Sequence, residues 1–355
     1  MRLLLTLALL VFSGFTGFAH PGHDEEGTHS ADHASPFVVS DWGALIYRKA
    51  DEYSLPEDEA LAAYLVKNHG GSVVDPETSD LYTTIGTKVI RFTVDPGAGS
   101  ILLDDEEFGV GNFHGLALDM GGAMPSFYFS DNIRKLVRFR SFSDSGFYDI
   151  IPDASIHEAF AKPGAYKPTD VEIHPITGNP WAFDGYGTSL VFDIEEPKSI
   201  FGGKSEFNTA HGGTYHEGNW VVCSRGSGEI CTVNDKGEVI ERFALAKGSA
   251  PCDIDFIGDF ALIGCLRGGG SKEASYPGAP CYIYHWPSKQ LISTLIPKRD
   301  FGFKLGTHIH NAAWWPHTVD GKIQKLFIAF SFWNPGDFKL VEVSGLPLAW
   351  LTASK

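Results

Sequence analysis

The chain has 355 residues, with 28 lysines and arginines against 44 aspartates and glutamates and a formal net charge of −16 at pH 7. That excess of acid repels a phosphate backbone and excludes nucleic acid as a partner, while it suits cations, metals included. Hydrophobic residues make up 43% of the chain, enough for a sizeable core and too many for wholesale disorder.

The N-terminus reads as a targeting segment. Arg2 precedes an apolar run from Leu3 to Phe12, and Gly17 and Ala19 suit cleavage before His20. Residues 1–19 are therefore expected to be a signal peptide and the protein to be secreted or periplasmic, with a retained N-terminal anchor as the alternative. The run is short for a bilayer and no later stretch is longer, so no membrane span is expected once the signal is removed. Residues 20–36, HPGHDEEGTHSADHASP, are polar and lack a periodic apolar face, which predicts a disordered leader. Metal capture by His20, His23, His29 and His33 is the functional alternative to a solvated linker. Residues 37–68 read as a lead-in that packs on the domain behind it and offers a closing strand. Within it PEDEALAAYLVK, residues 56–67, predicts a short helix opened by proline and acids and ended by Lys67.

From residue 69 to 355 one unit recurs: a short apolar strand, a turn, a second strand, a loop, a third strand. Copies begin at His69, Phe113, Pro168, Ala210, Ala250 and Ile309, roughly forty to sixty residues apart. Forty glycines and 13% aromatics suit many tight turns between short strands. The expected fold is all-β, a six-bladed β-propeller of NHL-repeat-like type with a short N-terminal helix.

At the phase that opens each unit stand His69, His114, Thr169, His211, Pro251 or Cys252, and His310. Alternate blades of six lie about 120° apart in the ring, so His114, His211 and His310 are expected to converge in the channel. Three imidazoles with one open position describe a catalytic zinc site; iron, copper or cobalt would also accept this ligand set. The plain alternative is that each histidine is a hydrogen-bonded structural residue. His69 is a fourth in-phase histidine, and His308 and His317 lie close enough in sequence to replace or assist His310.

Five cysteines fall between residues 223 and 281. Export permits disulfides, and Cys223–Cys231, Cys252–Cys265 and Cys265–Cys281 are all conceivable by spacing; one cysteine must be left over.

The phrases FHGLALD at Phe113, KPTDVEIHPITGNPWAFDGYGTS at Lys167, FNTAHGGTYHEGNWVVCSRGSGEI at Phe207 and THIHNAAW at Thr307 carry a resemblance. The chain resembles the NHL-type propellers and, among them, the peptidyl-α-hydroxyglycine α-amidating lyases, over most of residues 65–343. The resemblance implies a six-bladed ring with a channel zinc on His114, His211 and His310. It implies cleavage of a carbinolamide C–N bond to give an amide and an aldehyde acid, with the metal and Tyr186 handling protons and Arg225 holding the substrate carboxylate. The substrate would be a small molecule or a peptide C-terminus. Departures are the absence of a first-blade active-site arginine, where only Lys88 is near, and Gly187 and His308 in place of a cysteine and a methionine. Asn311 replaces an aspartate that binds structural calcium, which argues against calcium here.

Two functions compete: a metal-dependent lyase, and a non-enzymatic propeller that binds a metal, a small ligand or a protein partner. Tyr186 as a local blade cap, Arg225 as a solvated turn residue, and Asp170 and Asp184 as turn formers are the structural alternatives. No Gly-x-Ser-x-Gly elbow is present, and GGGS at Gly268 lacks the lysine of a phosphate loop. Oligomeric state is not legible in the sequence.

Overall fold

The computed structural model describes residues 37–39, 45–105 and 112–345, apart from 123, 124, 143–145, 154, 156, 163, 197, 270–276 and 305. The expected signal peptide, residues 1–19, and the His-rich leader, residues 20–36, lie outside the described residues.

Short runs of β-branched and aromatic residues form antiparallel sheets, each joined by tight turns at which glycines such as Gly86 and Gly258 take positive φ. Blade 1 uses Ser72–Val74, Leu81–Ile85, Lys88–Phe92 and Ser100–Asp104; blade 2 uses Phe113–Asp119, Ser126–Asp131, Leu136–Ser141 and Tyr148–Ile150. Blade 3 uses Asp170–Ile173, Pro180–Phe183, Leu190–Asp193 and Ile200–Gly202; blade 4 uses Ala210–His216, Asn219–Ser224, Glu229–Val233 and Val239–Ala244. Blade 5 uses Pro251–Ile257, Phe260–Cys265, Cys281–His285 and Gln290–Leu295. Blade 6 is built on Ile309–Val319, Lys322–Phe332 and Asp337–Ser344. The first strand of each blade packs on the first strands of both neighbours, and blade 6 returns to blade 1, so the ring is closed.

The core is divided among the gaps between blades, because every blade buries both faces. In blade 4, Val221 and Cys223 point into the layer shared with blade 5, whereas Trp220 and Val222 point into the layer shared with blade 3. This is the period-two alternation of a strand buried on both sides. It also settles the cysteines. Cys223 and Cys231 lie in different layers, as do Cys265 and Cys281, and all five cysteines are free and buried.

The lead-in supplies the closing strand. Ile46–Lys49 pairs antiparallel with Asp337–Ser344, Ile46 opposite Ser344 and Lys49 opposite Val341, and Phe37–Val39 adds outside it. The first and last parts of the chain thus share blade 6, which protects what would be an open edge. The helix spans Glu59–Leu65, shorter than expected at both ends; Asp58 caps it by accepting from the Leu61 N–H at 2.6 Å, and Leu61 is its buried anchor. A second helix, Pro297–Phe301, went unread because five residues carry no periodicity. No helix among the described residues is long and apolar enough to cross a membrane.

Candidate metal centre

His114, His211 and His310 are each the second residue of the innermost strand of blades 2, 4 and 6. They lie inside the strands, where sequence phase put them just ahead. At each one the pairing register slips: between Phe113 and Gly115 in blade 2, between Ala210 and Gly213 in blade 4, and between Ile309 and Asn311 in blade 6. A β-bulge leaves a residue unpaired and re-aims its side chain. Repetition of the bulge therefore turns three histidines inward at one level of the channel. Blade 5 carries the same bulge at Cys252.

The residue after the histidine is glycine in blades 2 and 4, for steric reasons. A Cβ at Gly115 would lie 2.5 Å from Asp170 Oδ1, and one at Gly212 would lie 2.7 Å from the Cys252 carbonyl oxygen. Innermost strands approach too closely there for a side chain.

All three imidazoles are buried, and one ring nitrogen from each lies within 4.8 Å of the others. His114 Nδ1 donates to the Thr169 carbonyl and His211 Nδ1 to the Cys252 carbonyl, the latter at 2.8 Å. A carbonyl only accepts, so both rings carry the proton on Nδ1 and present a bare Nε2 lone pair to the channel. His310 Nε2 lies 3.0 Å from His114 Nε2, while its Nδ1 makes no well-formed hydrogen bond and meets only the Gly70 backbone. Burial holds all three well below the usual imidazole range, and Arg225 together with neighbouring histidines adds to the effect. Neutral rings with convergent nitrogens, two of them anchored through Nδ1 to backbone carbonyls, could hold a metal ion.

Tyr186 follows the second strand of blade 3 and Arg225 the second strand of blade 4, so both sit in inner turns at the histidine end of the channel. With His211 Nε2 unprotonated, Tyr186 Oη donates to it at 3.2 Å, and Arg225 Nη1 donates to Tyr186 Oη at 3.0 Å. The Arg225 guanidinium lies 4.9 Å from the Tyr186 ring centroid, and Lys167 Nζ lies 5.3 Å from it. Tyr186 is thus no local cap, and Arg225 is no solvated turn residue. Burial raises the Tyr186 pKa, with Arg225 opposing. Asp184 shapes this turn, accepting from the backbone N–H groups of Lys167 and Thr188 and from the Thr188 hydroxyl. Gly187 is required: a Cβ there would fall 2.2 Å from Asp184 Oδ1 and 2.3 Å from the Ala165 carbonyl oxygen.

The other candidates separate. His69 is in the channel, its ring 5.5 Å from His114 and 5.1 Å from His310, and burial lowers its pKa to about 4. Its nitrogens do not join the three-atom cluster. His308 packs near Trp333 at 5.9 Å, and His317 lies between Trp315 and Phe327 far along the strand; neither joins. Lys88 is buried against Asp104 within blade 1 and does not serve as a channel cation. Asn311 Nδ2 bonds the Asp253 carboxylate in the channel. Asp170 lines the channel below the histidines, where enclosure by protein raises its pKa to about 7. Lys167 and Cys252 were not singled out as site residues; their signals were position, immediately before the Pro-Thr-Asp phrase and at the in-phase slot of blade 5.

The architecture decides the fold comparison. The chain is a six-bladed β-propeller. A luciferin-regenerating enzyme superposes with a TM-score of 0.53 at 13% identity, over 80% of this chain and 94% of that one. A catalytically inactive virginiamycin B lyase from Staphylococcus aureus with quinupristin gives 0.51 at 10% identity, over 87% and 93%. A chain of a nidogen/laminin complex gives 0.51 at 12% identity, over 78% and 95%. These likenesses establish the fold alone, since they join two enzymes to a chain of a nidogen/laminin complex. No family model and no curated protein sequence matches the chain.

Proposed function

We propose that this protein is a metal-dependent lyase of the peptidyl-α-hydroxyglycine α-amidating type, acting on a carbinolamide C–N bond. The observation that carries the reading is one chain of contacts: Arg225 to Tyr186, Tyr186 to His211, and His211 in a cluster with His114 and His310. His114, His211 and His310 would hold zinc or a similar transition metal, which when bound supplies Lewis-acid polarisation of a substrate oxygen. Arg225, half-buried and without a carboxylate partner among the described residues, is suited to a substrate carboxylate. Tyr186 is protonated at neutral pH as any phenol is, and burial raises its pKa further. In the reaction the carbinol O–H bond breaks and a C=O bond forms as the C–N bond electrons pass to nitrogen, so that one proton moves overall from oxygen, by way of solvent or Tyr186, to nitrogen. Tyr186 Oη is the group of this chain placed to give that proton. We take the protein to be exported, on the strength of its N-terminal segment.

A second reading, a metal-holding propeller without catalysis, draws on His69, whose ring stands beside two of the three ligands. The test is release of glyoxylate from N-acyl-α-hydroxyglycines by the zinc-loaded protein. Turnover that is lost in Tyr186→Phe while zinc is retained supports the lyase. Bound zinc with no glyoxylate from any such compound rejects the lyase in favour of the scaffold.

A further inference from the structure

An open cavity of about 710 Å³ lies over blade 3, and Tyr186 forms its inner wall. Gly187, Gly202 and Gly203 are also in its lining. Its charged lining is Lys162 and Lys204, with the exposed Glu158 as the sole carboxylate; His157 stands beside them with its Nδ1 accepting from the Ala159 N–H at 3.1 Å. Lys167 continues the series inward to the Tyr186 ring, and Arg225 lies beyond it. Neither Lys162, Lys167, Lys204 nor Arg225 forms an ion pair with a described residue. Elsewhere Arg48, Arg91, Arg134 and Arg138 each touch a carboxylate. Lys49, Lys236 and Lys247 likewise form no ion pair with a described residue, so what marks this place is two lysines on one open cavity with a single carboxylate, joined through Tyr186 to the histidine cluster.

We propose that this cavity is a subsite for a second anionic group of the substrate, a carboxylate on the acyl arm, held by Lys162 and Lys204 while Arg225 holds the carboxylate at the reacting end. The preferred substrate is then dianionic, an acidic acyl group on an α-hydroxyglycine. The inference rests on the lyase reading for the identity of the reacting end, but its charge preference is independent of turnover. Selectivity of this kind is modest and salt-sensitive, since the lysines are exposed.

The test is titration calorimetry of the zinc-loaded protein with glutarylglycine and with pentanoylglycine, which replaces the distal carboxylate by a methyl group. Glutarylglycine is expected to bind about five- to tenfold more tightly, a preference that shrinks as salt is raised. The double variant Lys162→Glu/Lys204→Glu is expected to bring that ratio to one or below. Equal affinities in the parent, a ratio untouched by the double substitution, or no binding of either compound would overturn the subsite. The two readings fail separately. A charge preference in binding with no glyoxylate from the α-hydroxy forms sinks the lyase and leaves the subsite. Glyoxylate release with equal kcat/KM for acidic and neutral arms sinks the subsite and leaves the lyase.

Discussion

Replacement of Tyr186 by phenylalanine removes one oxygen from the centre of the contact chain. Two groups lose a partner: Arg225 Nη1, which donates to that oxygen at 3.0 Å, and His211 Nε2, which accepts from it at 3.2 Å. Leaving a half-buried charged donor unsatisfied costs about 1–3 kcal/mol. The ring itself stays, so the guanidinium stacking at 4.9 Å persists and the loss should fall at the lower end. In a domain of this size each kcal/mol is worth about 2 °C, so the metal-free variant should melt roughly 2–5 °C below the parent. Turnover of an N-acyl-α-hydroxyglycine should fall by about 10²–10⁴, the range for a lost proton donor. Scanning calorimetry gives the first quantity, glyoxylate release the second, and elemental analysis shows that zinc is retained. A variant with parental melting temperature and parental turnover would refute the placement of Tyr186 between Arg225 and His211.

Gly187→Cys, the residue that the resemblance to the amidating lyases would put at this position, should destabilise the protein and impair turnover, because its Cβ meets the Asp184 carboxylate at 2.2 Å; a stable, active variant would contradict that turn. Asp170→Asn should compare more favourably with the parent at pH 8 than at pH 4, on top of a pH-independent cost of setting an amide N–H against one of the Val171 and Gly213 N–H groups that the carboxylate accepts from. The folded protein keeps a proton on this carboxyl up to about pH 7, whereas the unfolded chain releases it near 3.8, so Asp170 contributes less stability as pH rises through that window. A gain that grows on acidification would reverse the sign. Thiol titration should find five reactive groups in denatured, unreduced protein and essentially none in the native state, since all five cysteines are free and buried; fewer than five on denaturation would indicate a disulfide.

The ring was legible because propeller repeats are local: each blade's strands are neighbours in sequence, and the period survives divergence. The histidine trio was legible for the same reason, as one phase read across alternate blades. The bulge was not, since the slip between Phe113 and Gly115 depends on how that strand meets its partner, and nothing in the local sequence encodes the pairing. Cysteine spacing suggested bridges across hairpins, yet alternation sends Cys223 and Cys231 into different layers. Lys88 was the only basic candidate near the first-blade phrase, and its actual partner, Asp104, lies a strand beyond. Lys167 reaches Tyr186 because the Asp184 carboxylate binds its backbone, a contact across seventeen residues that no motif announces.

The most direct measurement of the central claim is metal content per chain, made on tag-free protein purified without chelator, for the parent and for His114→Ala, His211→Ala and His310→Ala. The account predicts about one zinc or other transition-metal ion per parent chain, lost in each variant, with His308→Ala and His317→Ala retaining it. A folded parent that carries no transition metal and takes up no added zinc would contradict it, and the three inward-facing histidines would then be structural.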